Sequence, residues 1–459
     1  MSRYDIHNPI SIEEHGKRME GKTFRELSES NESYIAEEKR AYEIIKNNKG
    51  NLGQLVEEIH FGYKPNSNAA PDFEEAGVEL KVTPYYKLKR KGYSAKERLV
   101  LNIINYETII SETFKTSSFW KKNSLILLVH YLYQKDKDKL DFLITNVQLF
   151  EFPDSDFKII QDDWHTIKEK VKEGKAHELS ERDTNYLSAC TKGATSKTSM
   201  RTQPNSPEKA KQRAFSLKAS YMTYILNNYI LPKNPTYTKR DSILDKNTDK
   251  TLDQYILDTF ERYYSLKESQ LIQLLDIDAS NKPKNLKALI AARIFNSNLN
   301  DLKQAEEIEK ANIKVKTMRL EKNGKIKESM SFPHFSYLDI INQTWENSDL
   351  RNMFLETKFL FIIFQKDGQE FKLEKAMFWK LPEHDLENDV RKVWEATVHR
   401  IRNGRASDLP SKSDNKFNVA HVRPHGQNKY DTLPTPDGGE EVKKCFWLNN
   451  DYILGQISE

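Results

Sequence analysis

The chain is poor in cysteine, in long apolar runs and in net charge, and each shortage removes a class of protein. Only Cys190 and Cys445 occur in 459 residues, too few for a disulfide framework or a cysteine-ligated zinc site. No apolar run reaches the roughly 18 residues of a membrane span. The N-terminus MSRYDIHNPI lacks the basic and apolar regions of a signal peptide. These absences predict a cytoplasmic protein without a membrane partner. A net charge of only +4 does not mark a nucleic-acid binder by bulk balance. Aromatic content of 11 % and hydrophobic content of 37 % argue against disorder. A length prior of about 150 residues per domain gives two to four domains.

Charge itself is abundant, at 31 % of residues, and it is unevenly spread. Residues 87–98 (KLKRKGYSAKER) carry six Lys or Arg against Glu97, and residues 192–218 carry seven against Glu208. Such stretches are solvated faces unless they flank a site that takes phosphate. Residues 71–81 (PDFEEAGVELK) supply a candidate. From Gly77 the pattern alternates, Val78, Leu80 and Val82 on one side and Glu79, Lys81 and Thr83 on the other, as a half-buried strand requires. Glu79 and Lys81 then share a face roughly 6 to 7 Å apart along the strand. Asp72 must fold back to join them. Carboxylates are the hard oxygen ligands that Mg²⁺ takes while keeping positions open for water and a substrate phosphate. A solvated Glu/Lys face is the plain alternative.

The chain also repeats itself. Asn51, Leu52, Leu55, Val56 and Phe61 answer to Asn285, Leu286, Leu289, Ile290 and Phe295 at an offset of 285 − 51 = 234. Lys81-Val82-Thr83 answers to Lys316-Thr317-Met318, Trp164 and Gly174 to Trp394 and Gly404, and residues 213–218 with Tyr221 to residues 444–449 with Tyr452. Collinear matches at nearly constant offset predict a duplicated domain. Its halves are residues 1–231 and 245–459, joined by a Pro-containing linker at 232–244. In these registers Glu57 becomes Ala291, Asp72 becomes Glu307, Glu79 becomes Lys314, and Lys81 stays lysine at Lys316. The first half therefore reads as a working centre and the second as its non-catalytic copy.

Thr23 to Glu26 has the form of a capping box. Leu52, Leu55, Val56 and Ile59 give a helical stripe, from whose centre Glu57 lies away. Short apolar runs at 99–106, 125–133 and 143–152 read as strands of a mixed sheet, and 164–179 reads as a helix. Ser220 is the expected start of a last helix in the first half. Residues 186–194 (YLSACTKGA) read as a polar loop, in which Gly193 permits close backbone approach and Lys192 could reach guanine in a major groove. The matching place in the second half is His421-Val422-Arg423-Pro424-His425-Gly426, where Pro424 argues against a helical His-x-x-x-His metal site.

Together the ordered motifs resemble MutH, the mismatch-repair endonuclease that nicks at GATC: residues 53–57, Asp72, 77–81, Trp164, 186–194 and 213–218. They resemble more closely the GATC-cutting type II restriction endonucleases made of two MutH-like domains. There the phrases KERLVLNIINYE, EGKAHELSE, CTKGA and KQRAFSLK, and HVRPH in the second half, are shared. The resemblance implies an α/β fold of two tandem restriction-endonuclease-like domains, each a mixed sheet flanked by helices. It implies Mg²⁺-dependent cleavage of double-stranded DNA 5′ of the guanine of GATC, leaving a 5′-phosphate and a GATC overhang. By the same resemblance Asp72 and Glu79 are metal ligands, Lys81 orients the water, and Glu57 and Lys122 support the site. Lys192, Gly193, Arg213, Ser216 and Lys218 contact DNA in the first half, Arg423 and His425 in the second. The resemblance further implies a second GATC duplex as allosteric effector, a cognate methyltransferase as genetic partner, and a DNA-induced dimer. MutH has tyrosine at the place of Ser216 and Arg-Pro at that of Cys190-Thr191, departures that favour restriction over repair. A mismatch-repair nicking enzyme and a non-enzymatic GATC-binding protein are the rival readings.

Overall fold

The structure is a computed structural model that describes residues 4–29, 52–63, 70–88, 92–192, 199–231, 240–245, 247–278, 285–414 and 416–458. It divides into two compact units, residues 1–252 with 305–312, and residues 253–304 with 313–459. The division falls later than residues 232–244, and residues 232–239 of the expected linker lie outside the described set.

In the first unit, β1 (Glu79–Lys87), β2 (Tyr93–Ala95), β3 (Leu99–Ile103), β4 (Leu125–Leu132), β5 (Leu143–Glu151), β6 (Leu187–Thr191), β7 (Met200–Gln203), β8 (Ser206–Lys211) and β9 (Arg213–Leu217) follow in order. The main sheet runs β2-β1-β4-β5, with β1 parallel to β4 and the other pairs antiparallel. A run as apolar as LILLVHYL suits the inner strand β4, which is covered on both faces. Leu127, Val129, Ile144 and Val147 build its core with Ile12, Phe24, Leu55 and Val56. Gly16 lets the first helix lie close to β5, since a Cβ there would come within 2.8 Å of Val147. A second sheet runs β3-β9-β6, beside the hairpin β7-β8.

In the second unit, β10 (Ile313–Leu320), β11 (Met330–His334), β12 (Lys358–Asp367), β13 (Glu370–Trp379), β14 (Ala420–Pro424), β15 (Thr432–Pro434), β16 (Glu440–Val442) and β17 (Lys444–Leu448) repeat this plan. β10-β12-β13 matches β1-β4-β5, β11-β17-β14 matches β3-β9-β6, and β15-β16 is again a hairpin. Trp164 and Trp394 are buried on matching helices, Asp154–Lys172 and Arg391–Arg402. Both helices close on a glycine in the left-handed region, Gly174 and Gly404. The α/β fold with mixed sheets flanked by helices is thus present.

Several local expectations need correction. The 164–179 helix begins at Asp154, because Pro153 and the acidic first turn start it, and it ends at Lys172. Ser220 does not cap the last helix of the first half; that helix starts at Ala219, and Ser220 Oγ donates to the Lys310 carbonyl at 2.8 Å. The 99–106 run leaves the sheet at Ile103, where Asn105 caps a short helix. The polar loop at 186–194 is mostly the strand β6, whose Leu187 to Cys190 are buried. Small polar residues suit that strand because Ser188 Oγ finds Ser216 Oγ at 2.9 Å across the ladder. The capping box is as expected: Thr23 N donates to Glu26 Oε2 at 2.7 Å and Glu26 N to Thr23 Oγ1 at 3.2 Å.

A carboxylate and lysine cluster at the start of the parallel strand pair

Asp72 reaches β1 by a tight reversal. Gly77 takes φ +67°, and Phe73 and Val78 exchange both backbone hydrogen bonds, at 2.9 and 3.1 Å. The Asp72 carboxylate then accepts the Leu80 N–H at 3.0 Å, while the Asp72 N–H donates to Glu79 Oε2 at 3.2 Å. Glu79 is buried, at 1 % exposure. It does not lie on a solvated strand face, because Lys81 Nζ closes on Oε1 at 2.5 Å and Lys122 Nζ stands 3.6 Å from Oε2. Lys122 sits in the last turn of the helix Ser118–Asn123, and it also donates to the Ala70 carbonyl at 2.9 Å. Burial raises the Glu79 pKa above its ordinary value, Lys81 opposing this and Asp72 adding to it.

Glu57 joins from the other side. Its helix widens into a π-type turn over Val56–Phe61, and this departs from the 3.6-residue period by which Glu57 read as solvated. It is half-buried, and burial followed by repulsion from Asp72 lifts its pKa to about 7. Tyr63, which the sequence reading missed, belongs here too. Its hydroxyl is buried without a hydrogen-bond partner, and after burial the carboxylates of Asp72, Glu57 and Glu79 push its pKa up. No motif marks it; only the chain reversal at Gly62, φ +75°, brings it in. Oxygen ligands, mutual repulsion among three carboxylates and an unmatched hydroxyl fit a hard divalent cation. A tighter ligand set of His384, Asp385 and Asp389 lies partly exposed in the second unit. There Asp385 accepts from Tyr452 and Asp389 pairs with Lys392.

The strand ladders put the second unit in register with the first. Glu79 and Lys81 pair with Ile126 and Leu128, the second and fourth residues of β4; Lys314 and Lys316 pair with Phe359 and Phe361, the second and fourth of β12. Ala291 at the place of Glu57 is buried. Counted from the capping serines Ser117 and Ser348, Lys122 falls on Met353. Glu307, the match to Asp72, spends its carboxylate on Ser242 Oγ at 2.5 Å and the Ile243 N–H at 3.0 Å.

A site of this kind has relatives among known proteins. The family model for the DNA mismatch repair enzyme MutH matches residues 61–163, which include Asp72, Glu79, Lys81 and Lys122. The type II restriction enzyme Sau3AI of Staphylococcus aureus is 38 % identical over 91 % of this chain and 94 % of its own length. The chain belongs to the MutH-like type II restriction endonucleases. DNA mismatch repair proteins MutH of Shewanella baltica and Vibrio vulnificus are 28 % and 27 % identical, each over 40 % of the chain. This restriction endonuclease is therefore a site-specific deoxyribonuclease with DNA as its substrate.

The remaining candidates of the endonuclease fall into two groups. Lys192, partly exposed, follows β6, and Gly193 lies outside the described residues. Arg213, Ser216 and Lys218 are buried, contrary to the open surface that DNA contact suggests. Arg213 Nη1 donates to the Ala189 carbonyl at 2.9 Å and so braces β6, while Lys218 Nζ donates to the Thr184 carbonyl at 2.6 Å, ahead of that strand. In the second unit Arg423 is exposed and stacks 3.6 Å above the Trp447 ring, with His425 edge-on to the same ring. Trp447 is the other residue that the sequence reading missed. His421 and His425 stand at a strand rather than on a helix, and His421 Nδ1 is bonded to Asn449 at 2.5 Å. No helix among the described residues is long and apolar enough to cross a membrane.

Proposed function

We propose that the first unit cleaves double-stranded DNA at GATC with Mg²⁺ held by Asp72 and Glu79, and that the second unit binds another GATC duplex as an effector without cutting it. One observation carries this reading: Glu79 meets Asp72, Lys81 and Lys122 in the first unit, while Lys314 stands in its ladder position in the second. Mg²⁺ held there would supply water activation and charge neutralisation at the phosphoryl oxygens. Lys81 holds the Glu79 charge and is the residue that would orient the attacking water. Lys122, tied to Ala70 O, fixes the segment before Asp72. Glu57, whose pKa of about 7 lies near working pH, is suited to hold a proton or release it as the cation enters.

Arg423, stacked in advance on Trp447, presents its guanidinium as a fork that suits guanine O6 and N7. In the first unit Lys192, two residues beyond the place that matches Arg423, is the candidate reader. Two DNA-holding units in one chain raise the effective concentration of a second site. Cleavage of one-site and two-site GATC duplexes, methylated and unmethylated, by wild type and Glu79→Ala tests the proposal. Wild type should cut only with a divalent metal, the variant should lose about 10³-fold or more in rate, and two-site DNA should be cut faster. Metal-independent cutting, or an active Glu79→Ala variant, sinks the catalytic assignment; equal rates on both substrates remove the effector.

A further inference from the structure

The ladder position that holds Glu79 in the first unit holds a lysine in the second, and its surroundings changed with it. Lys314 and Lys316 lie two residues apart on β10 and so share a face, as Glu79 and Lys81 do on β1. The other members have become apolar, Ala291 for Glu57 and Met353 for Lys122. A place that carried carboxylates to recruit a cation now carries two cations of its own.

We infer that Lys314 and Lys316 form an anion site that takes a backbone phosphate of duplex DNA, at the position where the first unit would hold its metal. This rests on the reading of the second unit as DNA-binding. Lysine is a compact point charge suited to phosphate. Lys316 Nζ uses one N–H on the Ser331 carbonyl at 3.1 Å, which leaves two to offer. Lys314 is exposed, and among the described residues no carboxylate pairs with either lysine. Nearby Lys303 adds a third positive charge, itself 3.6 Å from Asp301. Although Lys314 is open to solvent, surrounding protein and then Lys303 depress its pKa; burial and the same neighbour depress that of Lys316. Ammonium groups crowded without a counter-ion gain most from an arriving phosphate. With no carboxylate to hold a metal or activate water, a bound phosphodiester is gripped and left whole.

Lysine acetylation followed by mass spectrometry tests this on the full chain. A short duplex bearing one GATC serves as probe, with calcium in place of magnesium to keep it intact. Lys314 and Lys316 should acetylate readily in the free protein and several-fold more slowly with the duplex. The Lys314→Gln and Lys316→Gln double variant should lower the slope of log affinity against log salt by about one, the share of one phosphate. Lys→Arg at both positions should restore it. Unchanged labelling of both lysines while Lys81 and Lys122 become protected overturns the inference and spares the first-unit site. Protection of neither pair overturns both. Protection of Lys314 and Lys316 without any stimulation by a second duplex upholds the anion site and removes the effector role.

Discussion

Glu79 shows what a single residue gains from its neighbours. Its identity and spacing from Lys81 are written in the sequence, but its burial is not, because alternation alone assigns it a solvated face. The parallel strand β4 on one side and the lysine of a following helix on the other close it off. Tyr63 is the complementary case, a buried hydroxyl with no partner beside three carboxylates. An unsatisfied buried hydroxyl costs about 1 to 3 kcal/mol. Tyr63→Phe should therefore stabilise the metal-free protein by about 1 kcal/mol and weaken metal-dependent cleavage. Urea unfolding in EDTA and metal titration of the rate read the two effects, and a destabilised variant refutes the first. His130, buried on β4 with Nδ1 unpartnered, has its pKa pushed down to about 4 by burial. Below its ordinary value of 6.5 the unfolded chain takes a proton that the folded chain refuses. Stability is thus lost as pH falls from 6.5 to about 4, by up to about 3 kcal/mol. The urea midpoint of wild type should fall relative to that of His130→Leu as pH drops through that window; a constant difference rules this out.

At the scale of elements, one helix crosses the expected division. Glu306–Lys310, in the second half by sequence, belongs to the first compact unit. Lys310 is fully buried there, 2.6 Å from Asp156 and 2.5 Å from Glu306, with the Tyr224 ring 4.2 Å below its ammonium. Tyr221 supports Asp156 at 3.0 Å. Removing one partner of a buried pair strands the other and costs about 3 to 5 kcal/mol. Lys310→Met should lower stability by about that much, and adding Asp156→Leu should return part of it. Denaturant midpoints of both variants check this; an additive double variant contradicts the pairing. Neither residue stands out in a sequence that is 31 % charged. β6 was illegible for a different reason. Its composition, Ser, Cys and Thr before a Lys-Gly, suits a turn, yet Asp163 accepts the N–H groups of Asn185, Tyr186 and Leu187 at 2.6 to 2.9 Å and launches the chain into the sheet.

For the whole molecule, the recurring strand order is the organising feature. Both units keep the strand order and the Trp-to-Gly helix ending, while the chemistry-bearing places diverge. The fourth residue is the buried Cys190 in β6 and the exposed Arg423 in β14, set by equivalent ladders to β9 and β17. If the second unit reads DNA, Arg423→Ala should bring the ratio of two-site to one-site cleavage toward one. Initial rates on matched substrates measure it, and an unaltered ratio dismisses Arg423 as a reader.

The sequence by itself determined the motif, the capping box, the apolar strands and the repeat, because these are local patterns of period, spacing and identity. It also marked the half that has lysine where the other has Glu79. Only the tertiary structure decided that Glu79 is buried between two lysines, that Tyr63 faces the carboxylates, that Arg213 braces a strand, that Lys218 is buried, and that Glu306–Lys310 joins the first unit. Each of these depends on residues far apart in the chain meeting away from water, and burial and pairing of that kind leave no periodic trace.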